Sequence, residues 1–269
     1  KTYVSAMDAE QSVRLHGIDQ RAPKVSFAHE RLSREVEVSQ AGAGNSSFVM
    51  GTSTVVWPAA LALSAYLCNQ PGLITSNSVV VELGAGLGLT GLVAAGLGAR
   101  AVCLTDQEVS LLETNAAEAG FSGVRAMPLP WRERGPELDE LITRVREALG
   151  GAAPTLVICS DCIFAGGLDD MRALCATTRA LLEMGASAGA DGAASSAEGE
   201  APLALFANEF RDGDVSALSE FWESAAAEGL DGPFEQLDPA QGNAAGGDHA
   251  DLQLLKVKIV GPIPDSSGE

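Results

Sequence analysis

Positive charge is scarce in this chain: 17 Lys and Arg stand against 36 Asp and Glu, a formal net charge of −19 over 269 residues. A field of that sign repels a phosphate backbone, so direct nucleic-acid binding is not expected. The imbalance is also uneven. From Gly185 to Asp251 there are fourteen acidic residues and a single basic one, Arg211. Such a stretch draws basic proteins toward it, although solubility or composition bias would account for it equally well. Long apolar runs are missing too: the best candidate, Thr54 to Leu67, falls short of the roughly 20 residues that span a bilayer, so no membrane contact is expected. The N-terminal stretch KTYVSAMDAEQSVRLHG lacks the basic-then-apolar layout of a signal peptide. Nor is there a disulfide framework. Cys68, Cys103, Cys159, Cys162 and Cys175 sit inside apolar segments without regular spacing, which predicts a reducing, cytoplasmic setting with the nucleus also open. Cys159 and Cys162 have the spacing of a redox or zinc pair. Their segment reads as a strand, however, in which residues three apart point to opposite faces, and no second Cys or His pair accompanies them. No metal site is expected.

Apolar residues make up 46% of the chain, enough for a sizeable core. The first fifty residues are weakly patterned, apart from an alternating LSREVEVSQ (Leu32 to Gln40) that suits a strand in an edge hairpin. VVWPAALALSAYL places Pro58 in the first turn of a helix running to about Cys68. From residue 79 onward, short apolar strands alternate with helices. Strands are expected at Val79–Leu83, Ala101–Thr105, Val124–Leu129, Leu156–Asp161, Leu203–Asn208 and Leu252–Ile259, with a weaker one near Phe234 antiparallel to the last. Helices are expected near Leu89–Gly96, Val109–Ala119, Leu138–Leu149, Met171–Leu182 and Val215–Ala227. That alternation predicts an α/β fold, a mostly parallel sheet covered on both faces. The Ala/Gly/Ser-rich stretch 183–202 reads as a flexible insert. The expected organisation is an N-terminal extension over 1–50, one α/β domain over 51–262 and a tail over 263–269.

The densest signal is VVVELGAGLGLTG, residues 79 to 91, where a branched apolar strand runs into four glycines. In open α/β sheets, ligands bind beyond the carboxyl ends of the strands, and the first strand–turn–helix usually supplies the site. Gly84, Gly86 and Gly88 allow close backbone approach, and the following helix offers free N–H groups. Asp106 ends the second strand twenty-two residues after Gly84, where a carboxylate can accept hydrogen bonds from both hydroxyls of a ribose. Residue 89 is Leu rather than the third glycine of a dinucleotide-binding G-x-G-x-x-G, which weakens a nicotinamide or flavin reading.

VELGAGLGLTGLVAA and GARAVCLTD together resemble the cofactor site of the class I, seven-strand S-adenosylmethionine methyltransferases. Further pieces are similar to one branch, the family 16 protein-lysine methyltransferases: VVWPAALALSAYL, LLETNAAEAG, MPLPW, the D-x-x-Y/F signature in ICSDCIF, and LALFANEFRDGDVSALSEFW. Their shared order and spacing carry the resemblance across roughly Phe48 to Val260, excluding the insert. It implies a Rossmann-like, seven-stranded, mostly parallel sheet with helices on both faces and an antiparallel C-terminal strand, and S-adenosyl-L-methionine as cofactor. It further implies that Gly84, Ala85 and Gly86, with Glu82 just ahead of them, pass under the cofactor. Asp106 would grip its ribose, Trp57 and Trp131 would flank it, and the Ser160 backbone would line it. The implied substrate is a protein, expected to be basic and of the translation-factor or chaperone class, met by a monomeric enzyme.

The resemblance puts Asp161 and Phe164 at the reacting end. A lysine of pKa about 10.4 is neutral only roughly once in 2,500 at pH 7, a deficit of about 4 to 5 kcal/mol. A carboxylate alone favours the charged amine, so Asp161 is expected to orient the nitrogen or relay its proton to water. Phe164 stands where many relatives carry Tyr; it can wall the alkylamine, worth about 0.5–2 kcal/mol as a cation–π contact, but has no phenol to donate. Asn208, Glu209 and Arg211 follow the fifth strand, either facing substrate or forming a solvated rim. Other acceptors (a protein histidine, an N-terminal amine, a small molecule) and an inactive interaction module stay open at this point.

Overall fold

A computed structural model describes residues 14–15, 18–20, 22–41, 52–164, 168–190, 201–209, 215–236 and 252–261. The described residues start with a two-residue pair, β1 (Arg14–Leu15) and β2 (Ile18–Asp19), and a hairpin of β3 (Lys24–Phe27) and β4 (Val36–Ser39). A 3-10 turn at Thr52–Thr54 leads into α1 (Pro58–Asn69). There follow β5 (Val79–Leu83), α2 (Leu89–Gly96), β6 (Ala101–Asp106), α3 (Ser110–Ala119), β7 (Val124–Pro128), α4 (Pro136–Ala148), β8 (Leu156–Ser160) and α5 (Leu168–Ala190). The described residues end with β9 (Leu203–Glu209), α6 (Val215–Ala227), β10 (Leu230–Asp231), β11 (Phe234–Gln236) and β12 (Leu252–Ile259).

Strands β7, β6, β5, β8 and β9 lie side by side in parallel, and β12 closes onto β9 antiparallel. The outermost position is shared by β10 and β11, both antiparallel to β12 and separated by Gly232–Pro233. Seven strand positions result, as expected. Strand order reverses between β5 and β8, so the carboxyl ends of these two strands flank the crevice where such sheets bind ligands.

Period-2 alternation gives each face its own core. Val80, Val102, Leu104, Ile158 and Leu205 pack with Leu63 and Leu67 of α1, Leu92 and Val93 of α2, and Leu112 of α3. Val79, Val81, Leu83, Cys103, Val157 and Phe206 pack on the other face with Val145 of α4, Leu174 of α5 and Phe221 of α6. The β3–β4 hairpin was expected along a sheet edge. It forms a sheet of its own instead, with Phe27, Val36 and Val38 buried in the same core as α1–α3. Its apolar residues find a helical surface to cover, which a free sheet edge would not offer.

Two further expectations are corrected. Helix α5 runs to Ala190, well beyond Leu182, so the first part of the expected insert is helical and the rest lies outside the described residues. Alanine is a strong helix former, Met184 is buried, and Glu183 pairs with Arg179 one turn earlier at 2.8 Å. Asp161, expected as a strand residue, has φ of +57° and turns the chain out of the sheet. Cys159 and Cys162 therefore share one apolar cluster rather than facing apart, and the Cys162 thiol donates to Ser160 O at 3.4 Å. Burial pushes the Cys159 thiol well above its usual range, which suits packing and not thiolate chemistry.

Phe221 is fully buried and meets Phe206 edge-to-face at 5.1 Å, joining α6 to the sheet. Phe221→Ala should lower stability by about 3–5 kcal/mol, read as a lower urea midpoint with cooperative unfolding retained.

Candidate active site

Strand β5 is buried along its whole length, and its branched residues favour the extended chain up to Leu83. The turn that follows has φ of +60° at Gly84 and +53° at Gly86, a left-handed conformation that strains any residue with a Cβ. Every part of it is laced to the neighbouring strand. Ala85 N–H donates to Thr105 O at 2.8 Å, and the Thr105 hydroxyl donates to Glu82 O at 2.6 Å. Gly86 N–H donates to Asp106 Oδ2 at 2.8 Å.

Asp106 thus points at the glycine turn. Its Oδ1 takes the N–H groups of Gln107 and Glu108 at 2.7 and 3.2 Å. Three backbone donors are satisfied where a carboxylate can accept about four, so acceptor capacity remains for a hydroxyl at the lip of the turn. A Cβ at Gly86 would lie 3.6 Å from the Ser53 carbonyl, in ordinary contact, so the Thr52–Thr54 turn passes over the glycines. At Gly84 a Cβ would collide with Cys162 Sγ and lie 3.2 Å from the Trp131 ring. Trp131 therefore borders the turn, anchored through Arg132 N–H to the Thr177 hydroxyl of α5 at 3.1 Å. Trp57 precedes α1, three residues before Ala60, whose carbonyl accepts from Thr90 of α2 at 3.3 Å. Bare backbone, a carboxylate with spare capacity and a bordering indole are a donor set that fits an adenosyl ligand.

Glu82 differs from expectation. Alternation along β5 turns it under the loop, where it is 1% exposed and accepts from Gly91 N–H of α2 at 2.9 Å. It braces the turn from below and does not line its surface. Burial pushes its carboxyl up to about 8, against the opposing pull of the Gly91 amide and the Thr90 hydroxyl, with the Asp106 charge adding a further upward push.

A second fastening involves Asn115 of α3, which is fully buried. Its Nδ2 donates to Leu87 O at 3.1 Å and to Ser39 O at 3.2 Å, while Oδ1 accepts from Ser39 N–H at 2.8 Å. The N-terminal hairpin is thereby tied to the glycine turn. Nothing in the composition of LLETNAAEAG separates this asparagine from a solvated one.

Across the crevice, β8 ends at Ser160, which is half-buried with its carbonyl facing Cys162 Sγ at 3.4 Å. Asp161 is the one non-glycine residue with positive φ among the described residues, a conformation concentrated at functional sites. Its N–H donates to Ala207 O at 2.8 Å, and its Oδ1 accepts from Glu209 N–H at 3.3 Å. Phe164 follows with 45% exposure, against buried or half-buried rings at Phe27, Phe121, Phe206 and Phe221. Asn208 and Glu209 are buried rather than rim residues, and Arg211 lies outside the described residues.

Residues 44–187, more than half of the chain, match the family model described as "Lysine methyltransferase". The chain belongs to that family. The lysine methyltransferase match contains Trp57, the glycine turn, Asp106, Trp131 and the Asp161–Phe164 segment, and ends before β9. Among curated relatives, the protein N-lysine methyltransferase METTL21A of Xenopus tropicalis is 39% identical over 100 residues, 35% of this chain and 44% of that protein. METTL21A of Mus musculus is 49% identical over 62 residues, 23% and 28% of the two chains. The chain thus spans less than half the length of the curated relatives it matches. The crystal structure of SMU.776 complexed with SAH shares the fold, with a TM-score of 0.53, 14% identity, and coverage of 88% of this chain and 56% of that one.

The buried carboxyl of Glu82 makes a pH signature. Its folded-state pKa is raised, so its contribution is fully present below about 4.5 and is lost as pH rises toward about 8. Over that window it should lower stability by up to about 1.4 kcal/mol per pH unit. Urea midpoints measured at pH 5.5 and 8 should show this slope, and Glu82→Gln should flatten it.

Proposed function

We propose that this chain is an S-adenosylmethionine-dependent N-methyltransferase acting on lysine side chains of a protein. The observation that carries the reading is the glycine turn locked to Asp106, in a chain of the lysine methyltransferase family. Bound S-adenosylmethionine would supply a methyl group on a sulfonium, an electrophile for a neutral amine. The backbone of Gly84, Ala85 and Gly86 would pass beneath it, and Asp106 would accept from the ribose hydroxyls. Trp57 and Trp131 would flank it, and the Ser160 backbone would line its methionine side.

At the reacting end, the chain's own task is to hold a nitrogen in line and to obtain it uncharged. Holding reacting groups in line can supply several kcal/mol of rate acceleration. Phe164, exposed on the rim, offers an apolar wall to the lysine stem and disfavours full hydration of the ammonium. Asp161, fixed by Ala207 and Glu209, orients the amine and passes its proton to water. No phenol takes part at position 164. The acidic balance of the chain supports a basic client, in line with the translation-factor or chaperone class, approached by a monomer in the cytoplasm or nucleus.

Calorimetric titration with S-adenosylhomocysteine tests the first half of the proposal. Wild type should bind, and Asp106→Ala should bind at least tenfold more weakly with its circular dichroism unchanged. Incubating a host lysate with labelled S-adenosylmethionine tests the second half, which expects label on protein lysines. Label on a histidine, a terminal amine or a small molecule would change the acceptor, and binding without transfer would leave an interaction module. Failure to bind either form of the cofactor would overturn the reading.

A further inference from the structure

The Asp161–Phe164 segment leaves the sheet, yet it is not loose. Parallel pairing of β8 with β9 ends at Ser160 opposite Ala207. Asp161 still gives its N–H to Ala207 O at 2.8 Å. Two residues on, the Asn208 side chain takes over the pairing. Its Oδ1 accepts from Ile163 N–H at 2.9 Å, and its Nδ2 donates to Ile163 O at 2.9 Å. The same Nδ2 lies 3.4 Å from Glu209 O, and Glu209 N–H returns to Asp161 Oδ1 at 3.3 Å. Asn208 and Ile163 are each 1% exposed, so water does not substitute for these bonds.

A side-chain amide presents one acceptor and paired donors in a plane, which matches the N–H and C=O of a single residue. Asn208 therefore behaves as a detached peptide unit that extends the β9 ladder beyond the last regular pair. It fixes the one residue lying between Asp161 and Phe164 that has its backbone donor and acceptor both bound to a single side chain. From the end of β9, three consecutive residues (Ala207, Asn208 and Glu209) hold the turn, and Asn208 does so with two bonds to one residue.

We infer that Asn208 is a positioning residue for methyl transfer, setting the directions of Asp161 and Phe164 through the Ile163 backbone. The inference rests on the methyltransferase reading above. It assigns a role to a residue beyond the matched stretch 44–187, on a strand the cofactor cradle does not use. Loss of the clamp should misplace the acceptor end far more than the cofactor end: Cys162 borders Gly84, but the glycine turn and Asp106 are bonded to β6 and α2.

The test uses the full chain with Asn208→Leu, which keeps the volume and removes both bonds, and Asn208→Asp, which keeps only the acceptor for Ile163 N–H. Each is measured by S-adenosylhomocysteine titration and by the initial rate of label transfer from labelled S-adenosylmethionine into lysate proteins. The expected result for Asn208→Leu is a maximal rate lowered about 10- to 100-fold. Its KM for S-adenosylmethionine and its S-adenosylhomocysteine affinity should stay within about threefold of wild type, and Asn208→Asp should fall between. Should Asn208→Leu fail to fold, Asn208→Ser, which retains a hydroxyl for one bond, is read the same way. Wild-type rates in the folded variants would overturn the inference. So would loss of cofactor binding in parallel with rate, since that pattern marks general loosening. A wild-type chain that neither binds nor transfers would instead strike the methyltransferase reading itself.

Discussion

One hydrogen bond, from Gly86 N–H to the Asp106 carboxylate, joins the carboxyl ends of the neighbouring strands β5 and β6 and sets the shape of the lip around it. It adds to the Ala85–Thr105 and Thr105–Glu82 bonds that already tie the turn to β6, and it is the one of the three that fixes the carboxylate against the left-handed glycines. The carboxylate is oriented at the same time by the N–H groups of Gln107 and Glu108. A ligand meeting this lip finds its acceptor already aimed, so little ordering is left for binding to accomplish.

The two sides of the crevice are built by different means. The cofactor side depends on residues beneath and behind the turn: Glu82 from below through Gly91, Asn115 from behind through Leu87. Both lie out of reach of solvent, so their influence on a ligand is indirect. The acceptor side depends on β9, whose last three residues restrain a turn that the sheet alone would not hold. Asp161 occupies a sparsely populated conformation, and the bonds from Ala207, Asn208 and Glu209 are what over-determine it.

Much of the fold was legible because glycines and prolines punctuate branched apolar runs. VVVEL followed by GAGLG marks a strand and its turn without ambiguity, and α2 and α6 fall where the pattern puts them. Proximity in sequence to the turn says nothing about which face of β5 Glu82 takes; alternation from Val80 turns it toward α2, where it meets Gly91. The inward side of Asn208, read in sequence as facing substrate or a solvated rim, follows the same way, since Ala204, Phe206 and Asn208 alternate onto one face. The Asp161 turn does not. A run such as LVICSDCIF reads as continuous strand, and only tertiary bonding shows where it bends. Helix α5 outlasted its expected end because Ala-rich sequence looks like linker by composition while favouring helix by propensity.

The outermost position of the sheet is split between β10 and β11 by Gly232–Pro233, and a Cβ at Gly232 would collide with the Lys256 carbonyl. Neither piece exceeds three residues, and Pro233 has no amide hydrogen to offer. At the opposite rim, β7 finishes at Pro128. The β10/β11 border is thus a poor template for a foreign strand, whereas β7 presents a proline only at its end.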